Sequence, residues 1–179
     1  TAHALFLGNS LPVREVDFYG SGNGSEVKVG LNRGASGIDG LVASSAGYSK
    51  GLNQPLTLLL GDLSLLHDLN SLKLISESPK PIVLIVLNNH GGGIFSFLPI
   101  SEHKDIFETY FSTPHSLEFK DAAKMFKLSY FHPESPEEFE SIYLKQASAD
   151  KSCIIEVNTL KEDNIRVQKE WTEFLQQNR

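Results

Sequence analysis

The stretch LIVLNNHGGGIF, Leu84–Phe95, begins as a continuous apolar run and ends in two amides, an imidazole and three glycines. The apolar run is typical of a strand that is covered on both faces in a parallel sheet. A turn after such a strand needs only one or two polar or glycine residues. This stretch has six in succession, from Asn88 to Gly93. The excess indicates that the end of this strand has a function beyond turning the chain.

On either side of this stretch, short β-branched runs alternate with segments of helical period, which predicts an α/β fold. We expect a doubly wound, mostly parallel six-stranded sheet with helices on both faces. The predicted strands are 3–9, 26–32, 55–61, 81–87, 127–133 and 152–158. The predicted helices are 10–19, 37–50, 63–78, 118–126, 136–148 and 162–177. The apolar stripe of the last helix is expected to pack in the core; it consists of Ile165, Val167, Trp171, Phe174 and Leu175.

The composition is that of one ordinary globular domain, which we predict to span residues 1–179. The chain has 179 residues, 40% of them hydrophobic and 21% charged. Because it starts at Thr1 and enters a strand almost at once, we expect it to be part of a larger multidomain polypeptide. A net charge of −6 without a long basic run argues against nucleic-acid binding. The apolar runs are too short for a membrane span, and the lone Cys153 is predicted to be a buried structural thiol.

Residues 91–117 break the alternation, because they have weak periodicity and are rich in Phe, His, Ser and Pro. A segment of this length without regular structure is usually functional or disordered. Its aromatic residues argue against disorder. We interpret it as an ordered lid or a partner-binding segment.

Polar residues follow four of the predicted strands, at the edge where parallel sheets bind ligands. The four strand ends read GNSLPVR (8–14), NRGASGID (32–39), GDLS (61–64) and NNHGGGIF (88–95). Each has an ordinary interpretation when taken alone. Asp62 could be a helix N-cap, Asn88 and Asn89 could be turn residues, Arg14 a surface charge and Ile38 a core aliphatic residue.

Asp62 and Asn89 together suggest a metal site. They are separated by about one strand–helix–strand unit, which places a carboxylate, an amide oxygen and loop carbonyls at one edge of the sheet. Mg²⁺ takes one or two carboxylates and fills its other positions with phosphate oxygens and water. The predicted helix at Leu63, with Ser64 in its first turn, offers N–H groups to an anion. The hypothesis is a diphosphate that a divalent cation bridges to the protein.

These motifs resemble a known family. Gly61–Asn89 resembles the fingerprint of thiamine-diphosphate-dependent enzymes, Gly-Asp-Gly followed at a set distance by Asn-Asn, with Leu63 in place of the second glycine. GDLS, NRGASGIDG, GNSLPVR and NNHGGGIF together resemble the MenD family. These are the 2-succinyl-5-enolpyruvyl-6-hydroxy-3-cyclohexene-1-carboxylate synthases of menaquinone and phylloquinone biosynthesis. The resemblance covers nearly the whole chain, as their C-terminal diphosphate-binding domain.

The resemblance implies a cofactor and a metal ion, thiamine diphosphate and Mg²⁺ or Mn²⁺. The metal ligands would be Asp62, the Asn89 side chain and the Gly91 carbonyl. The residues lining the cofactor would be Gly61, Leu63, Ser64 and Gly92, with Ile38 supporting its bent conformation. The glycines from Gly91 to Gly93 are expected to let backbone approach the ion and the phosphates.

The resemblance also implies two substrates, 2-oxoglutarate and isochorismate. Ser10, Arg14 and Arg33 would bind substrate carboxylates, since arginine suits bidentate capture, and Asn9 would lie beside them. An apolar wall would be formed by Ile94, Phe95 and Leu98. His90, His67 and Asp68 are assigned no chemical role, and no catalytic residue is predicted in this chain.

The implied reaction is decarboxylation of 2-oxoglutarate and addition of the succinyl unit to isochorismate by a transferase. The resemblance places an essential glutamate on a separate pyrimidine-binding domain, from a second subunit of a homo-oligomer, so the chain alone is predicted to lack synthase activity. The location would be the cytoplasm in a bacterium and the plastid in a plant. The alternative is a non-catalytic nucleotide-binding module, or a regulatory or assembly module, on the same scaffold.

Overall fold

The computed structural model describes residues 3–21, 26–35 and 37–177. Its strands form one six-stranded sheet in the order β2-β1-β3-β4-β6-β5, and every neighbouring pair is parallel. The strands are β1 (Ala4–Leu7), β2 (Val29–Leu31), β3 (Leu56–Gly61), β4 (Ile82–Asn88), β5 (Ser129–Phe131) and β6 (Cys153–Asn158). The predicted α/β fold and its parallel sheet are therefore confirmed.

Helices alternate with the strands along the chain, and the last helix follows β6. They are α1 (Leu11–Tyr19), α2 (Leu41–Leu52), α3 (Asp62–His67), α4 (Leu72–Ser76), α5 (Lys104–Phe107), α6 (Lys120–Met125), α7 (Pro136–Ala147) and α8 (Lys161–Gln177). The predicted helix 63–78 is interrupted at Asp68, whose backbone leaves the helical region. The buried Asp68 carboxylate accepts hydrogen bonds from the Ala43 N–H (3.0 Å) and the Ser71 hydroxyl (2.5 Å). A short polar side chain that bonds to nearby groups in this way competes with helix continuation.

The packing of β4 explains why the strand is apolar from Ile82 to Leu87. Leu84 and Val86 contribute to a core cluster that also contains residues of α2, α4 and α6. Val83 and Ile85 contribute to a second cluster, which is packed against α7. Because successive side chains of a strand point to opposite faces, the two clusters show that both faces of the sheet are covered. Cys153 is fully buried in the second cluster, as predicted.

The last helix, α8, forms as predicted, but most of its apolar stripe is not in the core. Val167, Trp171 and Phe174 are 44%, 40% and 52% exposed, so the prediction of core packing is wrong for them. Trp171 instead stacks on Phe174, with 5.5 Å between ring centroids, and lies near Tyr19 of α1. Helical period predicts an apolar face, but it does not say which surface covers that face. The side chain of Leu175 is outside the described residues.

The segment after β4 is ordered, as expected, and consists of short helical turns. These are 3₁₀ turns at Gly93–Phe97 and Pro99–Glu102, then α5, then a π-helical turn at Glu108–Ser112. Phe107 is buried and stacks on Phe111, and Phe95 meets Phe111 edge to face. Its interpretation as a lid or partner-binding segment stays a prediction.

The strand order creates a crevice at one edge of the sheet. The chain passes from β1 outward to β2, then crosses back to place β3 on the other side of β1. The connections that leave the carboxyl ends of β1 and β3 therefore diverge. Such a switch point is where open parallel sheets bind their ligands.

Candidate metal and cofactor site

A cavity of about 530 Å³ lies at this switch point. Eleven of the predicted site residues line it: Ser10, Ile38, Gly61, Asp62, Leu63, Ser64, Asn89, Gly91, Gly92, Ile94 and Phe95. Asn9, Arg14, Arg33 and Leu98 are not part of its lining. Sequence analysis did not identify several other lining residues, among them Leu11, Pro12, Glu15 and Tyr19 of α1 and Asp163, Asn164 and Val167 of α8.

Asp62, the first residue of α3, is 3% exposed and surrounded by donors. Its Oδ1 accepts a hydrogen bond from the Leu63 N–H (2.6 Å) and its Oδ2 from the Gly91 N–H (3.0 Å). Burial raises the pKa of the Asp62 carboxyl, and the two N–H groups and nearby His115 oppose that increase. A buried carboxylate in such surroundings would be stabilised further by a cation.

Asn89 carries a polar atom that the protein leaves without a partner. Its Oδ1 is buried and accepts no hydrogen bond, and an unsatisfied buried acceptor costs about 1–3 kcal/mol. The Gly91 carbonyl accepts one bond, from the Gly93 N–H (3.0 Å), and a carbonyl oxygen has two lone pairs. A carboxylate, an amide oxygen and a carbonyl are the hard oxygen donors that suit Mg²⁺ or Mn²⁺.

These donors would not complete an octahedral site by themselves. Within the described ranges, no group of three or more His, Cys, Asp or Glu residues could hold a metal ion. An ion at Asp62 and Asn89 would therefore depend on oxygen atoms from a ligand and from water. The residues present fit a divalent cation that is bound together with a diphosphate.

Two glycines of the loop have a role within the protein itself, while the expected approach of an ion or phosphate to them stays a prediction. Gly91 has φ +147°, and a Cβ there would lie 2.4 Å from the Ser112 carbonyl oxygen. A Cβ at Gly92 would lie 2.4 Å from the Phe111 carbonyl oxygen. The Gly92 N–H also donates to the Ser112 carbonyl (2.6 Å). The close approach that requires these glycines is therefore made by the protein's own backbone.

Asn88, the first amide of the pair, anchors the loop from beneath. Its Nδ2 donates to Glu156 Oε1 (2.6 Å) and to the Leu117 carbonyl (3.0 Å), while its Oδ1 accepts from the His90 N–H (3.1 Å). Glu156 is fully buried and also accepts from the Phe119 N–H and the Tyr130 hydroxyl. Sequence reasoning missed Glu156, although a single carboxylate inside the apolar run SCIIEV was a usable signal.

The buried Glu156 carboxylate also affects the pKa of Tyr130. Burial raises the pKa of the Tyr130 hydroxyl above its ordinary value, and the hydrogen bond to Glu156 raises it further. The hydroxyl is therefore protonated at neutral pH and serves as a donor. Its bond to Glu156 (2.8 Å) links β5 to β6.

His115 also adjoins the site, and no sequence signal pointed to it. Its Nε2 lies 3.2 Å from Asp62 Oδ2, although the two atoms do not form an aligned hydrogen bond. Its ring meets that of His90 at 5.7 Å, and His90 itself has φ +59°. Positive φ at a residue with a side chain is a local strain of the kind that clusters at functional sites.

The predicted carboxylate-binding residues are arranged more loosely. Ser10 lines the cavity with φ +75°, and Arg14 donates to the Ser10 carbonyl (2.6 Å). The Arg33 guanidinium lies 3.5 Å from Asn9 Oδ1, and both arginines are solvent-exposed. Leu98, predicted for the apolar wall, is 49% exposed. The role of these residues in substrate binding stays a prediction.

Comparison with solved structures defines the class of the fold. The chain superposes with a TM-score of 0.74 on benzoylformate decarboxylase from Polynucleobacter necessarius, at 15% identity over 90% of this chain and 30% of that one. It superposes with a TM-score of 0.69 on a protein from Mycobacterium smegmatis described as a thiamin diphosphate-dependent enzyme, at 18% identity over 88% and 29%. The fold is thus that of a domain found in thiamine-diphosphate enzymes.

Comparison of sequences is more specific. The chain is 49% identical over 166 residues to the 2-succinyl-5-enolpyruvyl-6-hydroxy-3-cyclohexene-1-carboxylate synthase of Chlorobium phaeobacteroides. It is 48% identical over 168 residues to the synthase of the same name from Rubrobacter xylanophilus. These matches cover 92% and 94% of this chain but 29% of each relative. The chain is a homologue of these MenD synthases and corresponds to their C-terminal part.

No protein-family model matches the chain. Among the described residues, no helix is both long enough and apolar enough to cross a bilayer.

Proposed function

We propose that the chain is the diphosphate- and metal-binding domain of a thiamine-diphosphate-dependent synthase. The proposed enzyme decarboxylates 2-oxoglutarate and adds the succinyl unit to isochorismate, in menaquinone or phylloquinone biosynthesis. The observation that carries the proposal is that the buried Asp62 carboxylate and the unpartnered Asn89 Oδ1 belong to residues that line the same cavity, at the switch point of the sheet. The identity of 49% to a synthase of this name supports the choice of reaction.

Each part of the cavity has a role in this proposal. Asp62, Asn89 and the Gly91 carbonyl would hold Mg²⁺ or Mn²⁺. The residues that would line the diphosphate are Gly61, Leu63, Ser64 and Gly92. Ile38 is half-buried in the cavity wall and would support the cofactor, while Ile94 and Phe95 would give the cavity an apolar surface toward the substrate.

Thiamine diphosphate, when bound, supplies the carbanion chemistry that follows loss of CO₂. The chain's own contribution is to bind and orient charged groups. The Asp62 carboxylate would neutralise part of the cation's charge. Ser10, Arg14 and Arg33 would bind the carboxylates of the oxo acid, with Asn9 beside them and Leu98 at the apolar edge.

The proposed enzyme needs more than this chain, which spans a little under a third of the curated relatives it matches. We propose that a pyrimidine-binding domain of a second subunit supplies the glutamate that activates the cofactor. The chain alone is then expected to have no synthase turnover. The matched relatives are bacterial, and on that basis we propose a cytoplasmic location.

Calorimetric titration of the complete polypeptide with thiamine diphosphate tests the proposal. Binding is expected to require Mg²⁺. Asp62→Ala should weaken it by about 100-fold or more, roughly 2.8 kcal/mol, because it removes a buried charged partner of the cation. Asp150→Ala is the matched control, since Asp150 is exposed and lies before β6 at the opposite edge of the sheet; its affinity should stay within about twofold.

Two results would contradict the proposal. One is equal affinity of the Asp62→Ala variant and the wild type for thiamine diphosphate. The other is binding of adenine nucleotides in preference to thiamine diphosphate, which would favour a nucleotide-binding module.

A further inference from the structure

The loop that carries Asn89 is backed along its length by another part of the chain, residues 112–119, here named the strap. Four hydrogen bonds join the strap to the loop or to the group that anchors it. They are Gly92 N–H to Ser112 O (2.6 Å), His115 N–H to His90 O (3.2 Å), Asn88 Nδ2 to Leu117 O (3.0 Å) and Phe119 N–H to Glu156 Oε2 (2.9 Å). The strap therefore holds the backbone of the candidate metal loop in place.

One side chain of the strap reaches past the loop to Asp62. The His115 side chain is 11% exposed, and its Nδ1 accepts a hydrogen bond from the Leu117 N–H (3.2 Å). A neutral imidazole with an acceptor at Nδ1 has its hydrogen on Nε2. That Nε2 lies 3.2 Å from Asp62 Oδ2 and has no hydrogen-bond partner in the protein. The backbone thus selects the tautomer whose N–H is nearest to Asp62.

The Asp62 carboxylate consequently has nitrogen atoms close to both of its oxygens. Oδ1 has one donor, the Leu63 N–H, whereas Oδ2 faces the Gly91 N–H and His115 Nε2. Groups in this position around a ligating carboxylate set its orientation, and their loss typically weakens metal binding by about 10- to 100-fold.

We propose that His115 is a positioning residue, which orients the Asp62 carboxylate for the divalent cation through its Nε2–H. The proposal rests on the proposed function of the cavity. His115 does not touch the cofactor or the reacting atoms in this scheme. It acts through Asp62.

Two substitutions separate this role from simple filling of space. In His115→Asn the amide oxygen can still accept the Leu117 N–H, but the side chain is too short to place an N–H at the position of Nε2. In His115→Gln the longer amide can place an N–H near the original position of Nε2. His132→Asn is the matched control, because His132 is exposed.

The measurement is Mn²⁺ binding to the complete polypeptide by electron paramagnetic resonance, in the presence of thiamine diphosphate. His115→Asn is expected to raise the dissociation constant about 10- to 100-fold. His115→Gln and His132→Asn should stay within about threefold of the wild type. A metal-free crystal structure of His115→Asn should show the Asp62 carboxylate rotated from its wild-type position.

The outcomes distinguish this inference from the proposed function. Unchanged Mn²⁺ affinity in His115→Asn overturns the inference alone, and so does an equal loss in the Asn and Gln variants, which would indicate a space-filling role. Absence of Mn²⁺ binding by the wild type overturns the proposed function. In that case the metal-free structure still decides, because an unmoved Asp62 carboxylate contradicts a positioning role for His115.

Discussion

At the carboxyl ends of β3 and β4, Asp62 and Asn88 are buried and bonded to several groups of the chain. After the ends of β1 and β2, Arg14 donates to the carbonyl of Ser10, one turn away, and the Arg33 guanidinium lies 3.5 Å from Asn9 Oδ1. Both arginines are exposed and outside the cavity lining. The half of the crevice at β3 and β4 is therefore built from buried side chains and is called here the packed half. In the half at β1 and β2, called the open half, the two arginine side chains are exposed to solvent.

This difference shows what a single domain can build by itself. The packed half is organised by backbone N–H groups and buried side chains that the fold brings together, so its geometry exists before a ligand binds. The open half relies on long, exposed side chains, which lose conformational entropy when they are fixed. A metal ion and a diphosphate would bind to groups that are already in position. A carboxylate substrate would bind to arginine side chains that become fixed only when it binds.

Gly91→Ala should break the packed half and have the largest effect. The new Cβ would lie 2.4 Å from the Ser112 carbonyl oxygen, at φ +147°. Overpacking and backbone strain each cost about 1–3 kcal/mol, so the free energy of unfolding should fall by about 3 kcal/mol. Urea denaturation measures it. Gly47→Ala in α2 is the control, since a Cβ there meets no atom within 4 Å. Equal changes in the free energy of unfolding for the two variants would mean that the loop backbone can move away from the new Cβ at little cost.

Glu156→Gln tests whether the anchor beneath the loop is essential to the packed half. An amide replaces an oxygen that accepts from the Phe119 N–H or from Asn88. A buried donor left unpaired costs about 1–3 kcal/mol, and we expect a loss of about 2 kcal/mol in urea denaturation. Glu140→Gln, on the exposed face of α7, should change stability by less than about 0.5 kcal/mol. If Glu156→Gln leaves the free energy of unfolding unchanged, the Glu156 carboxylate is not an essential anchor of the loop.

The pH dependence of stability sharpens the comparison, because Asp62 is a buried carboxyl with a raised pKa. In the folded chain it holds its proton at a higher pH than in the unfolded chain, where the pKa is about 3.9. Its contribution to stability is therefore fully present below that value and is lost as pH rises through the folded pKa.

Metal-free wild type should accordingly lose stability relative to Asp62→Ala as pH increases from about 4 toward 7. Urea denaturation of both proteins across this range, without divalent cations, gives the difference. A constant difference between the two would contradict the raised pKa. Added Mn²⁺ should restore stability to the wild type at neutral pH and leave the variant unchanged.

Substitutions in the open half should have the smallest effects. Arg14→Ala and Arg33→Ala should each change the free energy of unfolding by less than about 0.5 kcal/mol. Affinity for thiamine diphosphate should stay within about twofold, while the KM of the complete enzyme for 2-oxoglutarate should rise by about 10-fold. A loss of cofactor affinity as large as that of Asp62→Ala would place these arginines in the packed half.

Sequence reasoning was most successful where periodicity and strand order carry the information. The central strands β4 and β6 follow from apolar runs that are rich in β-branched residues, and the other strands from their alternation with segments of helical period. Asp62 and Asn89 were predicted to meet because carboxyl ends of adjacent parallel strands share one edge, and both line the cavity. Helix α8 shows where such reasoning fails. Its helical period was predicted correctly, but the sequence did not show whether the core would cover its apolar face.

The sequence by itself determined the sheet, its buried strands and the edge where polar residues collect, because these depend on local patterns and on one topological rule. Only the tertiary structure showed why Gly91 and Gly92 are glycines, what Asn88 anchors and where His115 lies. Those facts depend on contacts between residues that are distant along the chain. Asn88 meets Glu156 across 68 positions, and no local pattern records such a contact, because packing brings the two residues together only when the whole sheet is formed.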